Sequence, residues 1–452
     1  MIKKGRICFL FLIFAHATAV EPITVVGAGY VGLVMSTVFA THQFPVNIVD
    51  INSELIDQLK QGKLYYQEKQ LSRDFHRAYS RGFFSFFNDI SAVENPGIVI
   101  ICTDTPNRAD GALDDRSVFS AVKSVLERNM AVKKICVKST LQPGSMKRLI
   151  QHFTLAGHHD VAWAYNPEFM REGSAIADIV NLNPVIIGSD HESIKNDLCG
   201  IYSKVLQGAI DGRLMTTDIF TAEIIKLAWN GFSAMRIAYA NELSRICAHH
   251  HGDLKAVMKG ISWSEQLLPT QSIIPGCGYG GSCFPKDTLA LQTLIESVGK
   301  KDSLITQTIR SNQEHIKDCI DKIIYHVAKP SKVVILGFSF KANTNDTRNS
   351  PTAAVALELL NRGYEVIGYD PAQLINREKQ FHSVKFSSDP YDALEDADCI
   401  VIMNDHPEFF DLDWQRIVES MHQKIIFDFK NIYAPSLLKN LGFQVFNLGR
   451  ND

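Results

Sequence analysis

The sequence predicts an α/β fold in which two doubly wound parallel-sheet units are joined by a long central helix. Three observations predict it. Short, continuous apolar runs alternate with helical patterns through the first half; an unbroken helical pattern covers 221–250; and a second strand–loop–helix–strand series opens at Lys332. Continuous apolar runs mark strands covered on both faces, which is the environment of a parallel sheet. At 452 residues the chain exceeds what one ordinary core supports, so more than one domain is expected.

In chain order, Lys3, Lys4 and Arg6 precede the apolar run ICFLFLIFA, and an ATA triplet follows at 17–19. That is the grammar of a secretory signal peptide, although the run is too short to cross a bilayer as a helix. Because ITVVGAGYVG follows at once, 1–19 is taken as an upstream extension. The run at 23–26 reads as a strand ending in Gly27-Ala28-Gly29-Tyr30-Val31-Gly32, then a helix, then VNIVD closing a second strand at Asp50. Further strands are expected at 98–102, 135–138, 161–165 and 184–187, extending a parallel sheet to about Thr217. The helical pattern that follows has Gly231 as its one weak point, and a helix of this length usually serves as a domain spine or subunit contact. A glycine-rich stretch at 275–281 leads into another helix. The second unit reads KVVILGFSFKANTNDTRNSP, a helix over 353–360, EVIGYDP, and strands at 399–403 and 425–427. The expected division is 20–217, 218–325 and 326–452.

Composition excludes several classes. A formal net charge of −3 suggests neither nucleic acid nor a membrane surface as partner. Hydrophobic residues at 46% and charged ones at 21% are the balance of a soluble globular chain. Nine cysteines lie without CxxC spacing, which fits free thiols in a reducing compartment and no metal site.

Four constellations carry chemistry. The Gly27/Gly29/Gly32 turn permits close backbone approach to a pyrophosphate at a helix N-terminus, and Asp50 at the next strand end can accept hydrogen bonds from ribose hydroxyls. A carboxylate there repels a 2′-phosphate, so NAD is expected over NADP in a Rossmann-like unit. Lys226 and Asn230, four apart, share one face of the long helix. A solvated face is the bland reading, but the neighbours Ile224, Ile225, Leu227, Ala228 and Trp229 are mostly apolar. In GCGYGGSCFPKDT, Cys283 follows a flexible glycine loop, with Lys286 and Asp287 within reach; a nearby cation would favour the thiolate. A buried structural cysteine is the alternative. In YNPEFMREGSA, Glu168 and Glu172 flank Arg171, as acid/base groups or as partners of a surface salt bridge.

Together GAGYVG, TPNRADGALDDRSV, VKSTLQPGS, NPEFMREG, AEIIKLAWN, GYGGSCFPKDTLAL and LGFSFKANTNDTRNSP, in this order, resemble the UDP-glucose/GDP-mannose dehydrogenase family over nearly the whole chain from Ile23. The resemblance implies an NAD-binding domain, a central helical dimerisation segment and a C-terminal nucleotide-sugar domain. It implies Cys283 as nucleophile, with Thr140, Glu168, Glu172, Lys226, Asn230 and Asp287 in the catalytic neighbourhood. To NAD it assigns Gly27, Gly29, Tyr30, Val31, Gly32, Asp50, Thr105, Pro106, Thr140, Glu172, Lys286 and Arg348. To the sugar nucleotide it assigns Glu168, Phe169, Met170, Arg171, Lys226, Asn230, Gly280, Phe340 and Lys341. The implied reaction is the NAD-dependent four-electron oxidation of UDP-glucose to UDP-glucuronate through a Cys283 thiohemiacetal and thioester, by a cytoplasmic homodimer.

Departures bear on the substrate. Leu267-Leu268-Pro269 stands where members acting on UDP-glucose often carry an arginine, and Asp428-Phe429-Lys430-Asn431 replaces Asp-Gly-Arg-Asn. The early Gly-x-x-Pro-x-x-Glu pattern survives only as Gly62 and Glu68. The alternatives are a GDP-mannose or UDP-N-acetylhexosamine 6-dehydrogenase, a single-step hydroxyacid dehydrogenase, which Cys283 and the second α/β unit argue against, and a non-catalytic nucleotide-sugar-binding paralogue.

Overall fold

A computed structural model describes residues 21–66, 68–262, 275–372, 374 and 381–449. The signal-like run at 1–19 and the substituted position Leu267 lie outside the described residues.

The first sheet is built from β1 (Ile23–Val26), β2 (Val46–Val49), β3 (Phe84–Phe87), β4 (Ile98–Ile101), β5 (Lys134–Val137), β6 (Ala162–Tyr165), β7 (Val185–Gly188) and β8 (Leu214–Thr217). Their spatial order is β3-β2-β1-β4-β5-β6-β7-β8. Alternate residues of each central strand feed opposite faces: Ile98 and Ile100 enter one apolar cluster, Val99 and Ile101 the other. The expectation of a parallel sheet holds except at one junction, where β6 and β7 meet antiparallel at Tyr165 and Gly188. The connecting segment holds only the three-residue helix Ala175–Ala177 and the five-residue turn Asp178–Leu182. A parallel return needs a full crossover, usually a helix, and none is present here. β3 and β8 were not anticipated; both are partly exposed edges whose sequences, FSFF and LMTT, lack a fully buried run.

The central helix runs from Ile219 to His250, with Asp218 accepting from the Thr221 amide at 2.8 Å as its N-cap. Helices Phe284–Ser297 and Leu304–His326 pack along this spine. The second sheet comprises β9 (Lys332–Leu336), β10 (Glu365–Tyr369), β11 (Lys385–Phe386), β12 (Cys399–Ile402), β13 (Ile425–Asp428) and β14 (Gln444–Asn447). All its pairs are parallel, in the order β11-β10-β9-β12-β13-β14. The helix expected over 353–360 spans Pro351–Asn361. In both sheets the strand order reverses beside the first strand, at β1/β4 and at β9/β12. A crevice outside the carboxyl ends of the strands is the usual ligand site of such sheets.

Candidate active site

At the first crevice, Gly27 and Gly29 lead from β1 into the helix Tyr30–Thr41, whose N-cap Gly29 offers no side-chain hydrogen bond. A Cβ on Gly32 would lie 1.9 Å from the Gly27 carbonyl oxygen, so only glycine lets turn and helix close together. A Cβ on Gly29 would meet nothing within 4 Å, leaving an open approach to the helix N-terminus. That combination fits a dinucleotide pyrophosphate. Asp50 sits just beyond β2, its Oδ2 accepting from the Ala28 amide (2.7 Å) and its Oδ1 from the Asn52 amide (2.8 Å). The acid assigned to ribose therefore also braces the glycine turn. The Tyr30 hydroxyl donates to Glu68, which in turn accepts from the Gly173 and Ala175 amides, both at 3.0 Å. Val31 packs against the first-sheet core. Thr105 Oγ1 donates to the Thr140 carbonyl at 2.8 Å, joining the loops after β4 and β5, and the Pro106 carbonyl accepts from the Asp114 amide.

Cys283 is the N-cap of helix Phe284–Ser297, with Pro285 in its first turn. Nearby cations do favour the thiolate, as the sequence suggests, but in the resting site they are outweighed. Burial, then the Glu168 and Asp287 carboxylates, push the thiol up to about 11 against the pull of Lys226 and Lys286. The Lys286 ammonium is occupied by Asp287 Oδ1 at 2.6 Å, and the Lys286 carbonyl accepts from Asn107 Nδ2.

Lys226 and Asn230 do share a face, and that face is buried. Lys226 Nζ donates to the Glu168 carbonyl (2.6 Å) and to Glu168 Oε1 (3.0 Å), and stands 5.4 Å from the centre of the Phe169 ring. Burial disfavours this ammonium, yet Glu168, Asp287 and Cys283 together hold it above the ordinary lysine range. Asn230 Nδ2 donates to Asp287 Oδ2 at 2.5 Å. The Met170 amide binds Glu168 Oε2 at 2.7 Å. One turn of the spine thus ties the loop after β6 to the cysteine helix.

Glu168 and Glu172 part company. Neither holds Arg171, whose guanidinium forms a two-point contact with Asp178 at 2.7 and 3.0 Å. Glu172 instead joins three segments: Ser282 Oγ donates to its Oε1 (3.1 Å), Thr344 Oγ1 to its Oε2 (3.2 Å), and Arg348 Nη2 lies 3.5 Å away. Burial and then Asp346 raise its carboxyl to about 7, against Arg348, Lys341 and Ser282. Asp346 holds the Arg348 guanidinium through both Nε and Nη2.

The second unit closes over the cysteine loop. The Gly281 amide donates to the Arg348 carbonyl at 3.0 Å, and Asn349 Nδ2 to the Gly281 carbonyl at 3.2 Å. Gly281 has φ +86°, and a Cβ there would lie 2.8 Å from the Phe340 ring, while Gly280 is pressed against the Asn349 carbonyl. Lys341 is shifted below its ordinary range by burial, against the attraction of Glu172. Ser282, Thr344 and Asp346 escaped the sequence reading. Ser282 adjoins the nucleophile in its motif, and Thr344 and Asp346 lie between Lys341 and Arg348 in theirs; those adjacencies are the available signal. Further out, Lys430 Nζ stands 3.6 Å from Asp405 and close to Gly276.

Residues 21–206 match the NAD binding domain of the UDP-glucose/GDP-mannose dehydrogenase family, 220–314 its central domain and 334–435 its UDP binding domain. The UDP-glucose 6-dehydrogenase of Rickettsia conorii is 33% identical over 433 residues, covering 94% of this chain and 99% of that one. That of Rhizobium meliloti is 32% identical over 440 residues, covering 95% and 100%. Among solved structures, a UDP-glucose dehydrogenase from the hyperthermophilic archaeon Pyrobaculum islandicum matches with a TM-score of 0.84 and 28% identity over 96% of this chain and 99% of that one. The UDP-D-ManNAc dehydrogenase from Pyrococcus horikoshii matches at 0.80 and 27%, over 95% and 99%.

Proposed function

The chain belongs to the UDP-glucose/GDP-mannose dehydrogenase family and is an NAD-dependent nucleotide-sugar 6-dehydrogenase; on that premise we infer that its substrate is UDP-glucose, oxidised at C6 to the carboxylate. The observation that carries the oxidation is the gathering of Lys226, Glu168 and Asp287 around Cys283, with Asn230 bound to Asp287; the UDP-glucose 6-dehydrogenases among its relatives support the sugar. Bound NAD supplies the hydride acceptor for both oxidations. Cys283 converts the intermediate aldehyde to a tetrahedral thiohemiacetal, the form from which a second oxidation yields a thioester. Lys226 and Asn230 stabilise the oxyanion that recurs at C6, one by charge and one by hydrogen bonding. Asp287 and Glu168 handle protons, Glu168 through a water that hydrolyses the thioester. Gly27, Gly29, Gly32 and Asp50 hold the dinucleotide; Phe340 and Lys341 face the diphosphate sugar.

The working units are 20–217 for NAD, 218–325 for the spine and cysteine loop, and 326–452 for the nucleotide sugar. Phe220, Ile224, Phe232, Tyr239 and Ile246 leave an apolar stripe exposed along the spine, which supports a homodimer joined there. No described helix is long and apolar enough to cross a membrane. The need for soluble NAD and a nucleotide sugar places the reaction in the cytoplasm. A UDP-N-acetylhexosamine is the second reading, favoured by the loss of the arginine fork at Lys430 and by the likeness to the Pyrococcus enzyme.

The test is a panel of UDP-glucose, UDP-N-acetylhexosamines and GDP-mannose with NAD, scoring NADH per sugar. Two NADH and a uronate are expected from UDP-glucose, and Cys283→Ser should abolish the overall reaction. Normal two-NADH turnover by Cys283→Ala would remove the nucleophile from this assignment.

A further inference from the structure

Beside the nucleophile lies a hydrogen-bonded path that the reaction above leaves unused. Ser282 Oγ is 3.5 Å from Cys283 Sγ and 3.1 Å from Glu172 Oε1. A hydroxyl has one hydrogen, and an ionised carboxylate only accepts. When Glu172 is ionised, Ser282 therefore donates to it, and the thiol is left to donate to the Ser282 oxygen. Gly281, clamped to Arg348 and Asn349, fixes the backbone directly before this serine. Thr344 and Arg348 hold the far carboxylate in place.

We propose that Ser282 relays the Cys283 thiol proton to Glu172, which makes Glu172 the base for thiol addition. The inference rests on the dehydrogenase reading for its substrate, though not for its test. As sulfur attacks the aldehyde, its electron pair forms the C–S bond and the carbonyl π pair moves onto oxygen. The thiol proton passes to Ser282 as the serine proton passes to Glu172, and the new oxyanion is held by the Lys226 ammonium. No oxidant or reductant enters this step. On thioester hydrolysis the C–S pair returns to sulfur, and Glu172 gives the proton back along the same path.

The groups around both ends suit this role. Glu168, Lys226, Asp287, Lys286 and Lys341 act on Cys283; Asp346, Arg348, Lys341, Tyr30 and Tyr66 act on Glu172. The thiol lies near 11 and Glu172 near 7. Transfer is thus unfavourable at rest and proceeds only as sulfur commits its pair to carbon, which is the behaviour of general-base catalysis.

The test is the rate of Cys283 alkylation by iodoacetamide against pH, without sugar or NAD, read by peptide mass spectrometry. In wild type the rate should rise through about pH 7 and level off. Ser282→Ala and Glu172→Gln should both lose that step, with rates at pH 8 down on the order of a hundredfold, the low end of general-base effects. A merely structural role for Ser282 would expose the thiol and speed alkylation at every pH. Such acceleration, a Ser282→Ala profile matching wild type, or a step kept in Glu172→Gln would each overturn the relay. A wild-type chain that makes no NADH from any nucleotide sugar yet keeps the step would sink the dehydrogenase reading alone.

Discussion

Replacing Lys226 with methionine separates what this lysine does for folding from what it does for turnover. Methionine keeps most of the volume and removes the charge. In the native chain Lys226 is 2% exposed and Glu168 7%, so the pair is shielded from water. Lys226→Met leaves the Glu168 carboxylate with the Met170 amide but, among the described residues, without its ion-pair partner. Breaking such a buried pair typically costs about 3–5 kcal/mol. The double variant Lys226→Met with Glu168→Gln removes both charges and should recover much of that stability, because apolar or neutral replacements of buried pairs are often near neutral. Turnover should follow a different course. Losing one oxyanion donor costs roughly a hundredfold to a thousandfold in rate, about 2.7–4 kcal/mol, and the double variant cannot restore it. Lys226 lies on the spine, away from the glycine turn, so NAD affinity should change little. The assay pairs denaturant midpoints with NADH production and NAD titration for wild type, both single variants and the double. Turnover recovering together with stability in the double variant would refute the oxyanion role, as would a loss confined to NAD affinity.

Asp50→Asn should weaken NAD roughly tenfold to a hundredfold and narrow the preference against NADP, measured as the ratio of the two cofactors' kcat/KM. A wild-type preference for NADP would show that the carboxylate does not face the ribose. Glu172 has a raised folded-state pKa, so its contribution favours folding at low pH and is lost as pH rises through about 7. The stability of Glu172→Gln relative to wild type should therefore improve between pH 5 and pH 9, in parallel thermal melts; a pH-independent difference would argue against that shift. Lys430→Arg should lower the KM for UDP-glucose, since arginine restores a two-point fork where a lysine now stands near Asp405. A higher KM would show that this pocket recognises its ligand another way.

The central strands, the spine helix and the glycine turn were legible in the chain alone because their signals are local. VNIV and IVII are buried runs, and an unbroken helical pattern over 221–250 has few other solutions. The edge strands β3 and β8 were not legible, since an exposed edge needs no continuous apolar run. Nor was the reversal at β7, which follows from the lack of a crossover helix. In the candidate site, motif and spacing pointed to Cys283, Lys226, Asn230 and the two glutamates, but not to who holds whom. Arg171 chose Asp178, seven residues on, over its immediate acidic neighbours. Lys226 found Glu168 across 58 residues, and Glu172 found Ser282 across 110. The cations near Cys283 do favour its thiolate, but burial and Glu168 outweigh them and hold the thiol protonated. Residue types and helical spacing are written in the chain. Desolvation and Coulomb interaction depend on burial and through-space distance, and those arise only when the spine, the cysteine loop and the second sheet pack together.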